Sequence, residues 1–212
     1  MTAYPLDAEG VWCQTFSGGA RGRAALFLDR DGVVVEEVGY LQRSVDVALC
    51  AGAAKVIAAA NARSIPVVLV TNQAGIARGL YGWREFEAVQ RTIEAALASE
   101  AARLDAVYAC PHHPEGQGAF AHPSHPARKP NPGMLLRAAD VLALDLAASW
   151  LVGDRASDIE AAKRAGLAGG LLVQTGYGAG ETAGALALRA PAFDVRLGRT
   201  IGDALDLPIF SD

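Results

Sequence analysis

The sequence predicts an α/β protein in which a mostly parallel sheet lies between two layers of helices, a three-layer sandwich. Three observations lead there. Five short apolar runs, at 24–28, 66–70, 106–109, 149–152 and 170–174, are almost free of charge, as strands buried on both faces are. Segments with apolar residues three or four apart separate several of these runs, so strands alternate with helices. Polar clusters follow the runs directly: Asp29 and Asp31, Thr71 and Asn72, Asp154 and Asp158. Open parallel sheets bind ligands beyond the carboxyl ends of their strands.

Residues 1–23 form a lead-in of weak periodicity. Within it, Ser17-Gly18-Gly19 reads as a flexible turn, since no Lys-Ser or Lys-Thr follows to make a phosphate loop. The first buried strand covers Ala24 to Leu28, and a helix is expected over Ala53 to Ala62. Pro66 to Val70 is the second strand. Phe86, Val89, Ile93, Leu97 and Leu104 trace one helical stripe between Trp83 and Leu104. Ala106 to Ala109 is the third strand, followed by an irregular segment, 110–130, rich in proline and histidine.

Asn131-Pro132 has the form of an N-cap and a first-turn proline, opening a helix to about Leu142. Ser149 to Val152 is the fourth strand. Ser157 is a candidate cap for a helix from Asp158 to Ala165, which Gly166 stops. Gly170 to Gln174 is the fifth strand, and Gly176-Tyr177-Gly178-Ala179-Gly180 reads as a loop, lacking the spacing of a dinucleotide fingerprint. One more strand near Phe193-Asp194-Val195 and a closing helix at Ile201 to Leu205 complete a single domain over 24–212.

The bulk properties narrow the function. The chain has 212 residues, 51% apolar and 20% charged, with a net charge of −4. No basic face points to nucleic acid or a membrane surface. The N-terminus has no signal pattern, and no apolar run is long enough to span a bilayer. Cys13, Cys50 and Cys110 are odd in number and far apart, which argues against a disulfide framework and for the cytoplasm.

The chemistry concentrates in Leu26-Phe27-Leu28-Asp29-Arg30-Asp31-Gly32. Alternation along a strand sends Asp29 and Asp31 to the same side, and Gly32 lets the chain turn away. Two carboxylates about 4 Å apart repel by roughly 4 kcal/mol at an effective dielectric near 20. A hard divalent cation relieves this, and oxygen ligands suit Mg2+. Lys129, Thr71 and main-chain amides are then placed to hold phosphoryl oxygens. One aspartate would attack phosphorus, and the other would move the proton.

Four segments in order carry a resemblance: Asp29-Arg30-Asp31-Gly32, Thr71-Asn72-Gln73, Arg128-Lys129-Pro130, and Gly153-Asp154-Arg155 with Asp158. The sequence resembles the haloacid-dehalogenase-like phosphatases, whose fold is Rossmann-like. Within them, Gly39-Tyr40, the run from Thr71 to Gly79, Cys110-Pro111-His112-His113-Pro114 and the run from Arg128 to Met134 resemble the D-glycero-D-manno-heptose 1,7-bisphosphate phosphatases, relatives of the histidinol-phosphate phosphatases. The match spans about Ala24 to Gly176.

The resemblance implies that Asp29 is the nucleophile and Asp31 the general acid/base, with Lys129 and Thr71 on the phosphoryl group. Asp29, the main-chain carbonyl of Asp31, and Asp154 would hold Mg2+. Asn72, Arg128 and Arg155 would lie near a phosphosugar substrate, with Asp158 supporting the site or capping its helix. It also implies a step in making activated heptose for surface glycans such as lipopolysaccharide. A monomer is expected, because the small fold needs no partner to close its site. Little chain separates Val33 from Pro66, so no large cap domain is expected and the loops 36–41, 73–79 and 110–130 would set specificity.

The family's 110–130 loop carries a structural zinc bound by a Cys-x-His pair and a later Cys-x-Cys pair. Cys110 and His112 match the first pair, but the second falls on His125 and Ala127. His125 can replace a thiolate and His122 can supply a fourth ligand, so a Cys-His-His-His zinc site stays open beside a plain polar loop. Two other readings also stay open: a histidinol-phosphate phosphatase, and a phosphosugar-binding protein without catalysis.

Overall fold

The computed structural model describes residues 4–16 and 22–211. The expected turn at Ser17-Gly18-Gly19 lies outside the described residues apart from the chain on either side of it. Seven strands form one sheet in the order β1-β4-β3-β2-β5-β6-β7. They are β1 (Trp12–Thr15), β2 (Leu26–Leu28), β3 (Val67–Asn72), β4 (Ala106–Cys110), β5 (Trp150–Gly153), β6 (Gly169–Val173) and β7 (Asp194–Gly198). All pairings are parallel except β1 with β4.

Alternation along the strands divides the core into two layers. Leu26, Leu28, Val67 and Leu69 face one side, with α1 (Ala53–Ala62) and α3 (Trp83–Ser99). Phe27, Val68 and Val70 face the other, with α4 (Gly133–Leu142), α5 (Ala156–Ala165) and α6 (Gly178–Leu186). Both faces of the central strands are therefore buried, which is why these runs are apolar throughout rather than alternating. Leu28 sits beside Leu69 on one side and Val152 on the other, so β2, β3 and β5 end close together. This register sets where the polar residues after them converge.

Several local expectations change. The lead-in supplies β1, an antiparallel edge strand whose Trp12 packs against Trp83 and Phe86 at ring separations of 5.5 and 5.1 Å. The long helix stops at Ser99 rather than Leu104, because Ala101 turns left-handed at φ 56°. Ala102 and Leu104 then pack under the helix from the following loop, which prolongs the apolar stripe without helix. A short α2 (Ala74–Ala77) follows β3 where only loop was read.

Asn131 is not the cap of α4. Pro132 occupies that position, and the Asn131 side chain bonds Ser124 Oγ and the His125 carbonyl instead. Ser157 does not cap α5 either. The helix begins at Ala156, and Asp158 Oδ2 accepts from the Arg155 main-chain N–H at 3.0 Å. Gly166, at φ 79°, ends it as expected. The glycine-rich stretch read as a loop begins α6. Gly178 is needed there because a Cβ would lie 1.7 Å from the Val173 carbonyl oxygen.

If β1 belongs to the core, Trp12→Ala lowers unfolding free energy by about 3–5 kcal/mol, the usual cost of emptying a buried aromatic site. Urea denaturation measures this, and a loss below about 1 kcal/mol would show that the strand is peripheral.

Candidate functional site

Asp29 stands one residue past β2, its N–H still bonded to the Val152 carbonyl. Lys129, from the loop before α4, reaches the same point and is almost fully buried. Its ammonium donates to Asp29 Oδ1 at 2.7 Å and to the Val70 carbonyl at 2.8 Å, and it lies 2.7 Å from Asp158 Oδ1. Its three donors therefore have three acceptors. The Asn72 carboxamide holds the main chain of Lys129 from both ends, accepting from its N–H and donating to its carbonyl. Asn72 also lines the cavity, with one N–H and one lone pair of its amide used in placing the lysine.

Asp154, past β5, joins Asp29 and Asp158 in a cluster whose ligand oxygens lie within 4.8 Å of one another. Burial drives the Asp29 carboxyl upward against the pull of Lys129, and burial likewise lifts Asp154 to about 6. Burial works to lower Lys129, yet Asp158 and Asp29 carry it above the ordinary lysine range. Asp154 Oδ2 accepts from the Tyr177 N–H, while buried Oδ1 has no partner. A Cβ on Gly32 or Gly176 would come within 2.5 and 2.1 Å of that Oδ2, so both glycines leave room for the carboxylate. An orphaned buried carboxylate oxygen among hard oxygen donors fits a divalent cation such as Mg2+. Both Asp158 oxygens are already engaged, by Lys129 and the Arg155 N–H. Asp29 and Asp154 are thus the side chains free to hold the ion.

Asp31 departs from expectation. Its side chain is outside the acidic cluster, because Arg30 claims it with Nε and Nη2 at 2.9–3.2 Å. The repulsion read from the sequence is relieved by this buried guanidinium, and any Asp31 ligand to a cation is left to its main-chain carbonyl. Gln73 ties the arrangement together. Its amide nitrogen donates to Asp31 Oδ2 and Thr71 Oγ1, and its oxygen accepts from Arg30 and from Tyr81 Oη. Neither Arg30 nor Tyr81 was singled out from the sequence. Arg30 could have been suspected, since an arginine between two strand-end acids is well placed to pair with one of them.

A cavity of about 560 Å³ opens over these residues. Asp29, Asp31, Thr71, Asn72, Arg128, Lys129, Arg155 and Asp158 all line it, with Glu37, Tyr40, Arg78 and Tyr177. Arg128 donates to the His112 carbonyl, and the Arg155 guanidinium stacks 3.7 Å from the Tyr177 ring centre. The cavity therefore has acids on its floor and guanidinium groups on its walls. All three loops that the sequence marks for specificity contribute to its lining beside the strand ends, and no separate cap covers it among the described residues.

Cys110, His112, His122 and His125 lie near one another, with the His122 ring 5.1 Å from that of His125 and 6.1 Å from that of His112, but no three of their ligand atoms come within 4.8 Å of one another. Among the described residues, the aspartate cluster alone brings three such ligand atoms together. His112 and His125 stack face to face at 3.6 Å, Cys110 Sγ lies 4.0 Å from His125 Nδ1, and burial pushes the Cys110 thiol up to about 12. His112 Nδ1 is buried without a partner, but the Cys110, His122 and His125 ligand atoms are not gathered around it, so these four side chains as placed do not fit a zinc ion.

Comparison with known proteins agrees with the site. A family profile described as HAD-hydrolase-like matches residues 126–203. A HAD-like phosphatase from Mesorhizobium loti superposes with a TM-score of 0.86 at 43% identity, covering 96% of this chain and 95% of that one. The D,D-heptose 1,7-bisphosphate phosphatase of B. bronchiseptica, solved with magnesium and phosphate, gives 0.74 at 32% identity over 86% and 96%. Fold and site thus define a HAD-like phosphatase, a phosphoric monoester hydrolase. The D-glycero-beta-D-manno-heptose-1,7-bisphosphate 7-phosphatase of Mesorhizobium japonicum is 47% identical over 81% of this chain and 80% of its own length. That of Escherichia coli strain K12 is 38% identical over 74% and 82%. The chain belongs to this heptose bisphosphate phosphatase family.

If Asp29 and Asp154 hold the cation, Mg2+ raises the Tm, since a ligand at a hundredfold its Kd adds about 2.7 kcal/mol. Gly176→Ala, which crowds Asp154, should abolish that rise while folding without Mg2+. Thermal melts with and without Mg2+ measure both, and an equal rise in the variant would contradict the assignment.

Proposed function

We propose that this protein hydrolyses D-glycero-D-manno-heptose 1,7-bisphosphate at C7, releasing heptose 1-phosphate through an aspartyl-phosphate on Asp29. The observation that carries the reading is the buried Asp29–Lys129–Asp158 group at the floor of the cavity beside Asp154. The relatives' names supply the substrate.

The residues divide the work. Lys129 holds Asp29 Oδ1, which fixes the carboxylate and leaves Oδ2 to attack phosphorus. Asp31, oriented by Arg30 and Gln73, gives a proton to the leaving oxygen and later takes one from the water that cleaves the acyl phosphate. Thr71 Oγ1 accepts from Gln73, so its own proton is free for a phosphoryl oxygen. Lys129 adds positive charge where the transferred group gathers negative charge. Mg2+, held by Asp29, Asp154 and the Asp31 carbonyl, would offset the charge of carboxylate and phosphoryl oxygens as they meet. Arg128 and Arg155 face the anionic remainder of the substrate from the walls.

Further expectations belong to the same reading. A monomer suffices, since one chain supplies all the cavity's lining. It works in the cytoplasm, and its product is a precursor for surface glycan such as lipopolysaccharide. Among the described residues, no helix is long and apolar enough to cross a membrane.

A phosphate-release panel of heptose bisphosphate, histidinol phosphate and other phosphosugars tests the proposal. Heptose bisphosphate should give the highest kcat/KM. A preference for histidinol phosphate would reassign the substrate, and no turnover of any compound by Mg2+-replete protein would leave only a binding role. Asp29→Asn should cut turnover by more than about a thousandfold. Retained activity would exclude Asp29 as nucleophile.

A further inference from the structure

Three of the four histidines share one local device. His113, His122 and His125 are each followed by proline, which has no N–H. In each case the ring Nδ1 accepts the next available main-chain N–H, from Glu115, Ser124 and Ala127 at 3.0–3.1 Å. The histidine thus acts as an Asx side chain does in an Asx turn. These bonds consume the Nδ1 lone pairs of His122 and His125, so each ring has only Nε2 left to offer a metal.

The His112 and His125 rings face the N-terminal segment. With Nδ1 of His125 accepting, its Nε2 carries the hydrogen and points to Glu9 Oε2 at 3.4 Å. His112 Nε2 lies 2.9 Å from the Glu9 carbonyl and must donate to it. The two rings are parallel within 3° because one residue receives both N–H groups. Glu9 is itself held firmly. Asp7 Oδ1 accepts from the N–H groups of Glu9 and Val11, and Asp7 Oδ2 pairs with Arg137 on α4. Gly10, at φ 78°, lies against Phe120, whose ring meets His112 edge to face.

We infer that this loop closes without metal: the N-terminal turn at Asp7 and Glu9 clasps His112 and His125 where the family resemblance implies zinc. The clasp reaches the cavity through one further bond, from Arg128 Nη1 to the His112 carbonyl at 3.0 Å. Asp7 and Glu9 are therefore positioning residues for Arg128 and take no part in the chemistry. This consequence for substrate binding rests on the proposed function, whereas the metal-free closure does not.

The test has arms that need no substrate. Protein purified from zinc-supplemented cells should hold far less than one zinc per chain, and a zinc chelator should leave its Tm unchanged. One retained zinc per chain whose removal lowers the Tm would overturn the inference, whatever the enzyme's substrate. Asp7→Ala should raise KM for heptose bisphosphate about tenfold with kcat within about twofold, and Asp7→Asn, which can still accept the turn bonds, should restore KM. An unchanged KM in folded Asp7→Ala would overturn the link to Arg128. If Asp7→Ala does not fold, Glu9→Ala takes its place with the same expected KM and kcat. Failure of wild-type protein to turn over heptose bisphosphate would count against the proposed function alone.

Discussion

A lysine ammonium with almost no access to water is the constraint around which the site is built. Lys129 is tolerated there because Asp29, Asp158 and the Val70 carbonyl take its three donors. Removing one partner from a buried ion pair typically costs 3–5 kcal/mol, since the other charge is left uncompensated. The three acceptors come from β3, the end of β2 and the first turn of α5, and Asn72 fixes the lysine's main chain. The sheet register and the start of α5 are therefore tied to one side chain. The same interaction holds the carboxylate that the proposed reaction uses.

Charge is sorted through the depth of the cavity. Acids crowd the floor, where Lys129 and a cation can balance them, and guanidinium groups occupy the walls, where an anionic substrate would arrive. Arg30 belongs to the floor but serves Asp31, keeping that acid apart from the aspartate cluster. Two neighbouring aspartates thereby acquire different surroundings, one against an ammonium and one against a guanidinium. Different surroundings are what two acids need in order to take different roles.

Much of this was legible in the chain. The buried strands were visible because burial on both faces leaves unbroken apolar runs, as in Val67 to Val70. The acids after β2 and β5, Thr71 and Lys129 could be placed together because strand ends in such a sheet converge. What escaped depended on tertiary contact. β1 gains its order from pairing with β4 and from Trp12 against Trp83. The start of α6 looked like a loop because Gly178 answers to the Val173 carbonyl rather than to helix propensity. Asn131 and Ser157 carried the right chemistry for caps, but Pro132 and Arg155 stand at those positions, with Asp158 accepting the Arg155 N–H. The pairing of Arg30 with Asp31, and of Glu9 with the histidines, involves side-chain directions that spacing does not encode.

The most direct measurement is a rapid acid quench of the wild-type enzyme during turnover of heptose bisphosphate, followed by peptide mapping by mass spectrometry. The account predicts one phosphoryl group on the peptide that contains Asp29, at the Asp29 carboxylate. A phosphoryl group on another residue would contradict it.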